Sequence, residues 1–315
     1  MTEFGVAVPE QAVMSGVVDR AELSRGVRDA EDADLHSVWV MEGIVGPVAQ
    51  LEPVALLTYA AAITTRIKLG LGVTLLPLRS PVQLAKSLLT LDQLSGGRLI
   101  AGVGIGGDHI DFPSFGTSRG DRVRRFREGL DVMRGLWSGS EVTADGPGWR
   151  LEGRAMRPLP IQEPLPVWVG ARSESALRRA VELGDGFVGS GSASMAEFEA
   201  QVSILREALA EAGREESGFP IAKRTYVCVD DDLHRARKTV GDWFHVLYGD
   251  PDRANGTAAA GPVGACADFI ARSVEAGADL VVLDPVAEEV SQIRRFIAEL
   301  IPEVVARTDS SGNQV

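Results

Sequence analysis

Two glycine-punctuated segments carry residue types that could hold an anion or a flat ligand. Trp168-Val169-Gly170-Ala171-Arg172-Ser173 reads as a strand that ends at a glycine and a helix that begins at a serine. Free amides, the helix dipole, a hydroxyl and a guanidinium would then converge on one phosphate. A plain helix cap with a solvated arginine is the competing explanation. Gly102-Val103-Gly104-Ile105-Gly106-Gly107 formally matches the dinucleotide fingerprint G-x-G-x-x-G. That fingerprint works only where a helix opens at once and aims its first amides at a pyrophosphate. Here Asp108-His109-Ile110-Asp111-Phe112-Pro113 follows, and the next helical pattern starts near Arg119. The missing side chains point instead to something flat lying against this backbone, with an ordinary flexible turn as the alternative.

Other chemistries are argued down by spacing. The four histidines, His36, His109, His234 and His245, show no metal-ligand spacing. The lysines are Lys68, Lys86, Lys223 and Lys238. Lys68 and Lys223 fall near strand starts, on the face expected to serve stability, and the other two lie in helical patterns. None suits Schiff-base chemistry. No G-x-S-x-G elbow and no Walker A sequence occurs. What remains is chemistry supplied by a bound cofactor.

The elements that must position these residues alternate regularly. Short apolar runs, the mark of parallel strands buried on both faces, occur at 4–8, 37–41, 67–75, 98–103, 166–169, 186–188, 221–229 and 279–283. Most are followed by an amphipathic helical pattern. The clearest opens at Ser80-Pro81 and closes at Gly96-Gly97. Regular alternation implies parallel strands with right-handed crossovers, and eight units favour a closed (β/α)₈ TIM barrel. The Gly- and Pro-rich stretch 138–166 reads as an insertion after the fourth βα unit, and 249–264 is a second irregular stretch. One barrel domain is expected over 1–306, with a flexible polar tail at 307–315. Barrel sites sit at the C-terminal strand ends, which singles out Glu42, Gly72–Leu75, Gly104–Asp108 with His109, Gly170–Ser173 and Gly189–Ser192.

Bulk properties narrow the partners. At 315 residues, 45% hydrophobic and 24% charged, the chain has an ordinary globular composition. A net charge of −12 disfavours nucleic acid and anionic membranes, while leaving room for one local anion site. Two distant cysteines, Cys228 and Cys266, suggest buried thiols in a reducing compartment. With no signal-peptide pattern and no apolar run of membrane-spanning length, the chain reads as cytoplasmic.

Several motifs together resemble the bacterial-luciferase-like monooxygenase superfamily. They are Leu69-Gly-Leu-Gly-Val-Thr-Leu-Leu-Pro77, Ser80-Pro-Val-Gln-Leu-Ala-Lys86 and Thr90-Leu-Asp-Gln-Leu-Ser-Gly-Gly-Arg-Leu99. Gly102–Gly106, Phe112 with Phe115-Gly116, Arg119-Gly120 with Arg122, Pro166–Gly170 and Gly184-Asp-Gly-Phe187 continue the match. The resemblance covers about residues 3–300 and is closest to the coenzyme F-420-dependent branch. It implies an inserted (β/α)₈ barrel, a homodimer, and a flavin or deazaflavin ring backed by a bulge at the third strand. In relatives the bulge contains a non-prolyl cis peptide, here at Gly72–Val73, with Thr74 beside it. The relatives' phosphate site maps to Gly170, Ala171, Arg172 and Ser173, and Gly104 and Gly106 line the ring. Two departures stand out. Many relatives have an acid-histidine pair where this chain has Glu42-Gly43, and F-420-dependent dehydrogenases often carry a carboxylate where Gly107 stands.

The resulting expectation is hydride transfer between coenzyme F-420 and a small organic substrate. Glu42 is then a polar contact or proton donor and His109 an acid/base candidate. The alternatives are a two-component monooxygenase using FMN and a non-catalytic flavin-binding barrel.

Overall fold

The computed structural model describes residues 2–9, 18–45, 50–107 and 110–311. In chain order the first half runs β1 (Glu3–Ala7), α1 (Arg20–Asp32), β2 (Ser37–Val40), α2 (Pro53–Ile63), β3 (Lys68–Leu71), β4 (Thr74–Leu75), α3 (Pro81–Ser95), β5 (Leu99–Gly104) and α4 (Arg122–Trp137). A hairpin of β6 (Val142–Gly146) and β7 (Trp149–Arg154) follows. The second half runs β8 (Val167–Gly170), α5 (Glu174–Leu183), β9 (Gly186–Gly189), α6 (Met195–Glu211), β10 (Ile221–Val229), α7 (Leu233–Tyr248), β11 (Ala258–Gly261), α8 (Val263–Glu275), β12 (Leu280–Pro285), α9 (Glu289–Arg295) and α10 (Ile301–Ser311).

Parallel pairing runs β1–β2–β3–β5–β8–β9–β10–β12 and returns to β1, so eight strands close a barrel. This is the (β/α)₈ architecture expected from the alternation. β4 is the continuation of β3 beyond an interruption at Gly72-Val73, and it pairs with the end of β5. Inside, Trp39, Ile100, Trp168, Val188, Ala222, Leu280 and Val282 form one plug, with Trp39 and Trp168 5.7 Å apart. Outside, the other face of each strand packs on the helices in the main core.

The N-terminal face is tied by dense hydrogen bonding. The Arg98 guanidinium donates to the carbonyls of Ser95, Ile67, Ala61 and Thr64 and to the Thr64 hydroxyl. Glu31 accepts from the amides of Thr65, Arg66 and Ile67. Asp92 accepts from the amides of Ile161 and Gln162 and from the Gln162 side chain, which anchors the end of the insertion to α3.

The structure adds elements that periodicity left open. The insertion contains the antiparallel β6–β7 hairpin, whose strands are mostly exposed and so carry little apolar alternation. Between β10 and β12 the chain forms α7, which carries Lys238 in a helix as expected, and then β11 and α8, which the irregular stretch 249–264 does not show. Arg307–Ser311 belong to α10 rather than to a tail, and the Arg307 guanidinium reaches Gly264 O, Glu303 and Asp268. Among the described residues no helix is long and apolar enough to cross a membrane.

Candidate active site

The third strand breaks where the site begins. The peptide between Gly72 and Val73 is cis, and both residues stay partly exposed. Val73 packs against the interior plug. The neighbouring glycines make room for it. A Cβ at Gly104 would lie 2.7 Å from Val73 Cγ2, and one at Gly170 would lie 3.1 Å from Val73 Cγ1. At Gly102 a Cβ would meet Leu71 O at 1.7 Å. The flat object expected against these glycines is therefore, in the first instance, the Val73 isopropyl group. A small apolar platform results, open toward the C-terminal mouth.

Glu42 follows β2 and works beneath this platform. Its side chain has 0% exposure. It accepts from the Thr74 hydroxyl, from the Leu75 amide at 3.1 Å, and from Arg79 Nη2 at 2.7 Å and Nε at 3.2 Å. A carboxylate with its oxygens so occupied acts as an acceptor anchor, holding β4 against the end of β2. Thr74, also buried, is the first residue of β4.

Beside the platform, β5 and β8 end in register with Gly104 opposite Gly170. Gly106 has φ +80°, a left-handed turn that favours glycine. No helix starts there; a short 3₁₀ turn at Phe112–Phe115 comes first and α4 opens at Arg122, which agrees with rejection of the dinucleotide fingerprint. His109 lies outside the described residues.

Gly170, Ala171, Arg172 and Ser173 lead from β8 into α5, as expected. Ser173 occupies the N-cap, yet its hydroxyl makes no cap bond and instead contacts Ser175 Oγ at 3.3 Å. The exposed turn thus leaves its side-chain hydroxyl and first amides available to an anion. Arg172 Nη2 is 2.9 Å from Glu197 Oε1, and both side chains are about half exposed. Burial works against the Glu197 charge, but the Ser194 amide and Arg172 outweigh it and hold the carboxyl below its ordinary range. An incoming phosphate would compete with Glu197 for Arg172.

Lys223 corrects an expectation. It does not sit on the stability face. It is fully buried, 5.7 Å from the Phe198 ring of α6, and its Nζ donates to Ser190 O and Ala193 O, both at 2.9 Å. Burial, with help from Arg224, pulls its ammonium down to about 7. It thereby fixes the loop after β9, at the same end of the barrel as Ser173.

Sequence reasoning missed the opposite wall. Arg224 Nε is 2.7 Å from Asp284 Oδ2, Arg224 Nη2 donates to Tyr226 Oη at 2.8 Å, and Tyr226 Oη is 3.0 Å from Tyr248 Oη. The available signal was parity: Ala222, Arg224 and Tyr226 alternate on β10, so a charged side chain falls in an interior register.

Comparisons with known proteins identify the family and the fold. The family model described as luciferase-like monooxygenase matches residues 2–261. A 5,10-methylenetetrahydromethanopterin reductase of Archaeoglobus fulgidus is 31% identical over 216 residues, covering 69% of this chain. The match spans only 63% of that reductase's own length. An F-420-dependent glucose-6-phosphate dehydrogenase of Beutenbergia cavernae is 31% identical over 275 residues, covering 79% of this chain and 81% of the relative. Among solved structures, an F-420-dependent secondary alcohol dehydrogenase in complex with an F-420–acetone adduct superposes with a TM-score of 0.84. It covers 96% of this chain and 99% of the other at 21% identity, a likeness of fold.

Proposed function

The chain belongs to the luciferase-like monooxygenase family, and from that premise we propose that it is an oxidoreductase that exchanges a hydride between coenzyme F-420 and a small organic substrate. The observation that carries the reading is the Val73 platform: an apolar, partly exposed surface inside a barrel mouth, seated on Gly104 of β5 and Gly170 of β8. Such a surface fits one face of a flat tricyclic ring. An anion-competent turn at Ser173 stands at the end of the adjacent β8, where a phosphate on the ring's tail would fall. The relatives named above that use F-420 support this choice of cofactor over FMN.

When bound, the deazaflavin supplies a carbon centre that gives or takes a hydride. The protein's share is placement. Val73 backs the ring, while Gly104 and Gly170 permit the close approach of Val73. Glu42, Thr74 and Arg79 keep the platform from shifting, so Glu42 is a positioning residue here rather than a proton donor. Ser173, Ala171 and Arg172 take the phosphate. Holding ring and substrate in fixed contact is worth several kcal/mol of barrier in general. The family resemblance further implies a homodimer.

Fluorescence titration with F-420 and FMN side by side tests the reading. F-420 is expected to bind at least tenfold more tightly. Ser173→Asp, which places negative charge in the phosphate turn, should weaken F-420 at least tenfold. Equal or tighter FMN binding would transfer the proposal to flavin chemistry, and unchanged affinity in the variant would remove Ser173 from the site.

A further inference from the structure

The anion turn at Ala171–Ser173 is flanked by a carboxylate that a phosphate site would ordinarily avoid. Glu197 belongs to the first turn of α6, where it closes a capping box with Ser194. The Glu197 amide donates to the Ser194 hydroxyl at 3.2 Å, and the Ser194 amide donates to Glu197 Oε2 at 2.7 Å. The other oxygen, Oε1, takes Arg172 Nη2 at 2.9 Å. With both oxygens engaged, the carboxylate is fixed beside the guanidinium instead of swinging into solvent. Burial opposes its charge, but these donors outweigh it and keep it ionised.

The surroundings add no surplus of positive charge. Glu174 opens α5 directly after Ser173, and Arg178 is shared among Glu174, Glu207 and Glu211. Along this edge two arginines, Arg172 and Arg178, therefore face four glutamates. Lys223, a buried cation whose field reaches both Arg172 and Glu197, spends its donors on Ser190 O and Ala193 O. Burial above all pulls it down to about 7, so near neutral pH it carries only part of a charge. What the turn offers an anion is then mostly dipolar: the Ser173 hydroxyl, which makes no cap bond, and the first amides of α5. Donors of that kind suit one negative charge. A second charge meets Glu197 where a free arginine would be needed.

We propose that Glu197 is a specificity-determining residue of the cofactor site: by holding Arg172, it suits the turn to a singly charged phosphodiester and disfavours a doubly charged phosphomonoester. The inference rests on the reading above that this turn receives the cofactor's phosphate. F-420 joins its ring to its tail through a phosphodiester, which carries one charge. FMN ends in a monoester whose second ionisation, at about 6, brings it close to two charges at neutral pH. The two cofactors thus differ at the group that meets the fixed carboxylate, and a preference for the deazaflavin has a cause in this chain's own residues.

Fluorescence titration of the full chain with riboflavin, the methyl ester of FMN and FMN tests this, because the three share one ring and step up by one phosphate charge at a time. A unit charge a few ångströms away in a water-like surrounding is worth about threefold in affinity, so the methyl ester should bind about threefold tighter than FMN. Glu197→Gln removes the charge and keeps the capping box, which admits Gln at this position. It should tighten FMN about tenfold and the methyl ester about threefold, and leave riboflavin unchanged. Equal responses of FMN and its methyl ester to Glu197→Gln, or a matching change in riboflavin, would overturn the proposal. So would FMN binding the unmodified chain as tightly as its methyl ester, or no saturable binding of the methyl ester. F-420 is titrated separately: its failure to bind the unmodified chain counts against the cofactor reading alone, and the three flavins still decide the role of Glu197.

Discussion

At the scale of single residues, the most informative side chain is Glu42. Its strand-end position made it a candidate for chemistry, and its contacts make it a fastener for β4. The carboxylate joins Arg79, the Leu75 amide and the Thr74 hydroxyl in a site closed to solvent. Removing its charge leaves the partly buried Arg79 guanidinium with Glu52 alone, 3.3 Å away and about half exposed, a loss of about 1–3 kcal/mol. Glu42→Gln should therefore lower the urea midpoint and weaken F-420 binding together, and Glu42→Asp should recover part of both. A variant with normal stability and cofactor affinity but abolished turnover would instead return Glu42 to the role of proton donor. The residue type and its strand-end place were legible in the sequence. Its orientation was not, because it depends on Arg79, 37 positions away, folding back across the bulge. Lys223 shows the same limit: proximity to a strand start does not say which way a long side chain runs.

Among elements, the barrel strands were the most legible part. Apolar runs of three to nine residues bounded by Gly, Pro and helix caps, each in an alternating β-then-α order, marked the parallel strands, and all eight were located within a few residues. The β6–β7 hairpin was not, since a mostly exposed ribbon lacks a buried face to impose alternation. Neither was the purpose of the glycine row on β5 and β8. The missing side chains were visible, but the group filling their space came from β3. That relation gives a sharp test. Gly104→Ala drives a methyl into Val73 Cγ2, and overpacking of this kind costs about 1–3 kcal/mol. The variant should be less stable and bind F-420 more weakly, and adding Val73→Ala should restore much of the stability. Additive losses in the double variant, measured by urea denaturation, would show that the two groups do not compete for one space.

The whole molecule responds to acid through its N-terminal face as well as its site. His36 is held down to about 4, chiefly by burial and secondarily by the charge of Lys68. Its ring nitrogens meet the Ser37 hydroxyl at 2.8 Å and the Lys68 ammonium at 3.0 Å. The unfolded chain, with an ordinary histidine near 6.5, binds the proton more readily. Stability from this group is thus complete above 6.5, declines as pH falls, and is gone below about 4. The shift corresponds to about 1–3 kcal/mol after allowing for partial solvent access. Urea midpoints at pH 7 and pH 4.5 should differ less for His36→Gln than for the unmodified chain. Equal differences would assign the acid sensitivity to other groups.

The last residues of β10 leave the barrel to pair with β11, and α7 is laid across them, with Tyr226 and Cys228 packed on Ala236, Val240 and Phe244. The platform is made from β3, β4, β5 and β8, and the roofed wall from β10, β12 and the stretch between them, so the two share no strand. Natural variation could therefore rewrite one half while the other keeps its coenzyme. Grafting residues 230–279 from a homologue with a different specificity should change what is reduced and leave what does the reducing untouched.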